Sequence, residues 1–238
     1  MVHSTFFQRL SVIILLFCSS FGAGAQEYLY EIGGMLGGAF YMGDANKNEA
    51  FRDMNPAVSA MFRYNANFRV AFKANLAWAT VSGSTQGLAN VFPENMQASF
   101  ERNVIDLGGQ AEFNFFPYSD KYKYLYTKRI SPYIMGGLGL TVAAGNGETV
   151  FSPHISVGTG VKYKLKNRIN IGAELSIRQL FTDALDVGGD NKLLDNPYKM
   201  ESSPIKNKDW YSMLMISVSY DFGLRDCNCN RKDMKEIY

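Results

Sequence analysis

His154 and Ser156 are residues whose types and spacing could do chemistry. On a strand, side chains two apart point to one face. His154-Ile155-Ser156 therefore sets a general base beside a hydroxyl nucleophile. Nucleophilic catalysis also needs a third group that orients the base. Glu148 lies in the preceding loop and Glu174 on the following strand, and neither stands obviously beside the pair. The plainer reading is two polar residues on the polar face of a strand. Asp183, Asp186 and Asp190, with Gly188-Gly189, have the composition of a calcium loop but not the alternating ligands of an EF-hand. They read as a solvated surface loop. The chain has no phosphate-binding glycine loop, zinc pattern or paired-carboxylate motif, so no cofactor or metal is expected.

Cys227 and Cys229 lie in Leu224-Arg225-Asp226-Cys227-Asn228-Cys229-Asn230. Side chains one residue apart diverge in an extended chain, which strains a bridge between them. In an oxidising compartment they are candidates to pair with a partner protein or ligand. A bridge between the two, or untethered thiols, are the alternatives.

The elements that must position these groups are strands. Phe68 to Val81 sets Phe68, Val70, Phe72, Ala74, Leu76, Trp78 and Thr80 on one face. Arg69, Lys73 and Asn75 fall on the other, with small residues between. The stretch far exceeds the roughly 5–6 residues of a typical globular strand. A tilted strand crossing a bilayer needs about 9–11 residues. An apolar outer face against a charged inner one is the pattern of a transmembrane β-barrel.

The pattern repeats. Strands are predicted at Tyr28–Tyr41, Pro56–Tyr64, Phe68–Val81, Ser99–Phe116, Ile130–Ala143, His154–Leu165, Arg168–Thr182 and Trp210–Phe222. The expected fold is all-β, an eight-stranded antiparallel transmembrane barrel of the outer-membrane type. Short turns follow the second and sixth strands, and mostly long loops follow the odd-numbered ones. In outer-membrane barrels the short turns are periplasmic, so both termini are expected in the periplasm. A water-soluble barrel would have to turn its bulky residues inward, and a small barrel cannot hold so many aromatics. Arg69, Lys73, Asp106, Glu112, Lys162, Glu174 and Arg178 all fall on the small-residue face. They are expected to pair inside a lumen filled by side chains, with no open channel. His154 and Ser156 share that face, out of a lipid's reach, which argues against a lipid A-modifying enzyme built on them.

Residues 1–25 read as a secretory signal. Arg9 precedes an apolar run, Leu10 to Phe17, and Ala23-Gly24-Ala25 offers a cleavage site. The run is shorter than the roughly 20 residues a spanning helix needs. A lipoprotein signal on Cys18 is the alternative, although Phe17 stands where a small residue is wanted. Residues 26–223 form the barrel and residues 224–238 a periplasmic tail. Lys and Arg number 24 against 22 acids, and no basic stripe marks a nucleic-acid binder.

Gln26-Glu27-Tyr28, the run from Glu31-Ile32-Gly33-Gly34 to Tyr41-Met42-Gly43-Asp44, Pro132-Tyr133 with Gly136-Gly137-Leu138-Gly139, and the ending Tyr220-Asp221-Phe222-Gly223 together resemble the PorG-type barrels of Bacteroidetes bacteria. The resemblance spans essentially the whole chain after the signal. It implies an outer-membrane component of the type IX secretion system that anchors or contacts a periplasmic ring formed by a lipoprotein and its partner. The contact is expected at the cysteine-bearing tail and the Pro117–Arg129 connection. A structural or adhesive barrel acting through its outer loops is the competing expectation.

Overall fold

The computed structural model describes residues 28–42, 53–84, 99–119, 126–145, 148–166, 168–182 and 209–224. The proposed signal with Cys18, the Asp183, Asp186 and Asp190 loop, and Cys227 and Cys229 lie outside the described residues. Eight strands run in chain order: β1 Tyr28–Met42, β2 Asn55–Asn65, β3 Val70–Ser84, β4 Ser99–Asn114, β5 Ile130–Gly145, β6 Glu148–Lys166, β7 Ile169–Leu180 and β8 Trp210–Leu224. Every neighbour pairs antiparallel, and β1 also pairs with β8 from Tyr28↔Leu224 to Met42↔Trp210. The sheet is a closed barrel with no free edge.

Period-two alternation sets what each face does. Along β2, β3 and β4 burial switches residue by residue. Leu36, Leu138 and Ile216, at mid-strand, are 68%, 66% and 61% exposed. Among the described residues no charged side chain interrupts this outward belt between the strand ends. An exposed apolar surface this continuous exceeds anything a soluble monomer carries, and a hydrocarbon environment accounts for it. Aromatic side chains gather at the end where β1 begins and β8 finishes, hereafter the terminal end. There Tyr30 packs 5.8 Å from the Phe62 ring and 5.6 Å from the Phe222 ring. The barrel is therefore a transmembrane one.

Four expectations need correction. Phe68 and Arg69 belong to the β2–β3 turn, because Asn67 Oδ1 accepts from the Arg69 and Val70 backbone N–H groups at 2.8 and 2.7 Å. Arg69 is consequently exposed and bonds the Phe115 carbonyl at 3.0 Å; it is not a lumen charge. Residues 144–145 and 148–151 are strand rather than loop: β5 and β6 stay paired to Gly145↔Glu148. The two residues left between them, Asn146-Gly147, are a strong hairpin signal that the alternation alone passes over. Finally, β8 runs to Leu224, one residue past the expected barrel boundary.

Candidate functional site: the packed lumen

The inward face is not uniformly polar. Towards the end opposite the termini, Met35, Ala39, Tyr41, Val81, Phe100, Leu180, Tyr211 and Met213 form an apolar cluster inside the barrel. Tyr41 lies edge-on to Phe100 at 4.9 Å and donates its hydroxyl to Asp209 at 2.6 Å. Below this plug the lumen is ionic. Among the described residues the buried acids are Glu31, Asp106, Glu112, Glu174, Asp209 and Asp221, and the buried bases are Arg63, Lys73, Arg102, Lys162, Lys164 and Arg178. Six of each sign keep the interior near neutral, which matters because an unpaired charge in a low-dielectric interior is costly.

Three groups of contacts take in ten of these charges, while Asp209 and Arg102 lie beside the plug at Tyr41 and Val81. In the first, Glu112 is the hub. Arg63 Nε lies 2.9 Å away, Lys73 Nζ lies 3.6 Å away and Lys162 pairs with the same carboxylate. Arg63 also reaches Glu31 at 2.5 Å, and Lys73 reaches Glu174 at 2.5 Å. Ser219 donates to Glu31, and the Tyr133 hydroxyl donates to Glu174 at 2.8 Å.

In the second group Asp106 accepts from Tyr211 at 2.8 Å, Thr141 at 3.2 Å and Arg178 Nε at 3.3 Å. In the third, near the terminal end, Asp221 pairs with Lys164 and accepts from Asn170 at 2.7 Å. Tyr118, from the β4–β5 connection, donates to Asn170 at 2.9 Å and stops that mouth of the barrel.

Lys73, Asp106, Glu112, Lys162, Glu174 and Arg178 thus lie buried in the lumen and within this network. His154 and Ser156 are also buried there but do not act on each other. His154 Nδ1 is 2.9 Å from Thr141 Oγ1, its Nε2 is 3.4 Å from Asp106, and Ser156 accepts from Gln110 at 3.3 Å. Both lie on the lumen face, and their contacts tie β6 to β5 and β4. Glu148 begins β6 rather than lying in a loop.

Sequence reasoning did not list Glu31, Arg63, Arg102, Lys164, Asp209 and Asp221 as lumen charges. For Glu31, Arg63, Lys164 and Asp221 the signal was available. Arg63 sits between the outward Phe62 and Tyr64, Lys164 between Tyr163 and Leu165, and Asp221 between Tyr220 and Phe222. A lone charge flanked by exposed aromatics or aliphatics on a strand has to point inward.

Room for these large side chains comes from glycines on the facing strand. Tyr133 lies opposite Gly160, His154 opposite Gly139 and Met135 opposite Gly158. A Cβ at Gly139 would stand 2.5 Å from the His154 ring, and one at Gly158 would collide with the Met135 methyl. Missing side chains on one strand are filled by large ones from its neighbour.

A family model described as "Domain of unknown function (DUF6089)" matches residues 8–231. No curated protein matches the chain. Among solved structures, Neisserial surface protein A is similar at 14% identity and a TM-score of 0.48, over 81% of this chain and 97% of that one. The outer membrane protein OprG of Pseudomonas aeruginosa is 11% identical with a TM-score of 0.46, over 84% of this chain and 98% of its own. Ail, the attachment invasion locus protein of Yersinia pestis, is 11% identical with a TM-score of 0.42, over 82% of this chain and 98% of its own.

Proposed function

The chain belongs to the DUF6089 family, and we propose that it is a non-enzymatic outer-membrane anchor that docks periplasmic components of a protein secretion machine. The observation that carries this reading is the filled lumen. Among the described residues, Tyr41, Phe100 and Tyr211 plug the lumen and Glu112 and Asp106 tie its walls together, so the barrel has a packed interior rather than a cavity. Its work falls to its ends. Both chain termini leave from the same end, since Tyr28 pairs with Leu224. That end is the periplasmic one in the proposed orientation. Two of its three connections are short, spanning 66–69 and 167–168, and the third spans 115–129; at the opposite end 43–54, 85–98 and 181–209 are long and 146–147 is short.

The resemblance to PorG-type barrels supplies the machine, the type IX secretion system. It places the contact at the residues that follow Leu224, with Cys227 and Cys229 as the candidates for a covalent tie to the partner.

The test is a pull-down from detergent-solubilised outer membranes without reductant. It compares wild type with Cys227→Ser/Cys229→Ser and with a chain ending at Leu224, so that every β1–β8 pair is kept. A periplasmic partner captured by wild type and lost on truncation is the expected result. A high-mass band lost in the double serine variant adds the disulfide. If the truncation changes nothing and deletion of residues 183–208 abolishes surface binding instead, the barrel is adhesive and docking is wrong.

A further inference from the structure

Among the described residues the exposed charges are sorted by end. Among the described residues, those at the terminal end are Arg69, Lys128, Arg129, Lys166 and Arg168, with no exposed acid beside them. Those at the opposite end are Asp53 and Glu101. The cations are spread over all three terminal-end connections: Arg69 between β2 and β3, Lys128 and Arg129 between β4 and β5, and Lys166 with Arg168 around the β6–β7 turn.

Two of the three groups stand next to residues that face lipid, and Arg69 reaches the exposed Phe115 through that residue's carbonyl. Arg129 precedes Ile130, Lys166 follows Leu165 and Arg168 precedes Ile169, and all three aliphatics are exposed. Several of the cations are also held in place. Lys128 Nζ sits 4.0 Å over the Phe116 ring, and Arg69 bonds the Phe115 carbonyl. Arg168 donates to the Tyr220 hydroxyl at 2.9 Å and to the Tyr28 hydroxyl at 3.3 Å. Those bonds, Tyr220 first, raise the guanidinium pKa above its ordinary value.

We propose that this cationic rim binds the phosphate groups of anionic phospholipids in the adjoining leaflet. Cations one residue beyond the apolar belt lie at the depth of lipid phosphates, and long basic side chains reach that plane while their stems stay on apolar surface. A folded protein partner would approach from one direction. A leaflet surrounds the barrel, and so does this rim. The proposed periplasmic orientation serves only to name the leaflet as the phospholipid one.

The experiment is native mass spectrometry of the full chain released from nanodiscs of equimolar phosphatidylglycerol and phosphatidylethanolamine. Wild type should retain phosphatidylglycerol over phosphatidylethanolamine by about fivefold or more, the effect of one cation engaging a lipid surface. Arg69→Gln/Lys128→Gln/Arg129→Gln/Lys166→Gln/Arg168→Gln should retain both in bulk proportion. If that variant does not fold, Lys128→Gln/Arg129→Gln, which removes no described hydrogen bond from a side chain to the barrel, should lose part of the preference. Equal retention by wild type overturns the proposal, as does a preference unchanged in every variant. Loss of the preference in millimolar inorganic phosphate would mean a free-anion site and also overturns it. Labelling Ala66→Cys in intact cells with an impermeant thiol reagent tests orientation separately. Labelling there would move the rim to the outer leaflet and sink the docking reading, while the headgroup preference measured in nanodiscs would stand.

Discussion

Tyr133 faces Gly160 across the β5–β6 ladder, and a Cβ built on Gly160 would lie 2.6 Å from both the Tyr133 hydroxyl oxygen and its ring Cζ. The same Cβ would stand 2.6 Å from the backbone oxygen of Ala173. The tyrosine fills the space that the glycine leaves empty, and its hydroxyl is thereby carried to Glu174.

Gly160→Ala should therefore destabilise the barrel by about 1–3 kcal/mol, the usual range for overpacking a close-packed interior. Equilibrium unfolding in urea from lipid vesicles measures it. Adding Tyr133→Phe should not restore stability, because the ring, not only the hydroxyl, is in the way. A Gly160→Ala variant as stable as wild type would show that this packing is looser than described.

Glu112 is the carboxylate around which Arg63, Lys73 and Lys162 converge. Glu112→Gln should cost about 3–5 kcal/mol, since breaking a buried pair leaves its partners uncompensated. Lys162→Met placed on top of Glu112→Gln should recover part of that loss by removing one stranded cation. Arg69→Ala, on the exposed turn, should stay within about 0.5 kcal/mol of wild type. Unfolding curves for the four proteins decide it, and equal losses at Glu112 and Arg69 would sink the hub assignment.

Wild-type protein in planar bilayers should show no stepwise conductance, because an eight-stranded barrel is filled by its side chains. Removing plug and hub together, as in Tyr211→Ala/Arg63→Ala/Glu112→Ala, should give measurable openings if the variant inserts. Regular openings in wild type would mean that the plug moves aside, and the anchor reading would lose its main support.

Leu36 lies at mid-belt and Leu165 at the terminal-end edge. Leu36→Lys should cost about 2–4 kcal/mol and Leu165→Lys about 0–1, the depth dependence of a lysine on the lipid face of a barrel. Equal costs would place the hydrocarbon band elsewhere on the barrel.

Much of this was legible in the sequence. Ile105, Asp106, Leu107 and Gly108 alternate so cleanly that both faces of β4 read directly, and Lys73, Glu112 and Arg178 follow from the same rule. Alternation, however, carries no signal of where a strand stops. Arg69 is in phase with Lys73, but Asn67 turns the chain before that phase takes effect, so the same periodicity puts one cation in the lumen and the other in water. The apolar plug was illegible for a different reason. Met35, Tyr41 and Met213 are apolar residues on the inward face, and a reading that equates apolar with outward has no place for them. Arg63 was legible from its flanks, the outward Phe62 and Tyr64, rather than from any run of charges along its short strand. Long-range pairs such as Lys73 with Glu174 depend on which strands meet across the lumen, a property of closure rather than of any local stretch.

The joint between β1 and β8 has a consequence in time. Synthesis delivers β1 first and β8 last, yet each is the other's neighbour from Tyr28↔Leu224 to Met42↔Trp210. Until β8 arrives, β1 and β7 both present open edges, and open apolar edges recruit other chains. An unfinished chain therefore has no stable intermediate form to wait in. Its edges must be kept from other chains until the final strand closes the sheet.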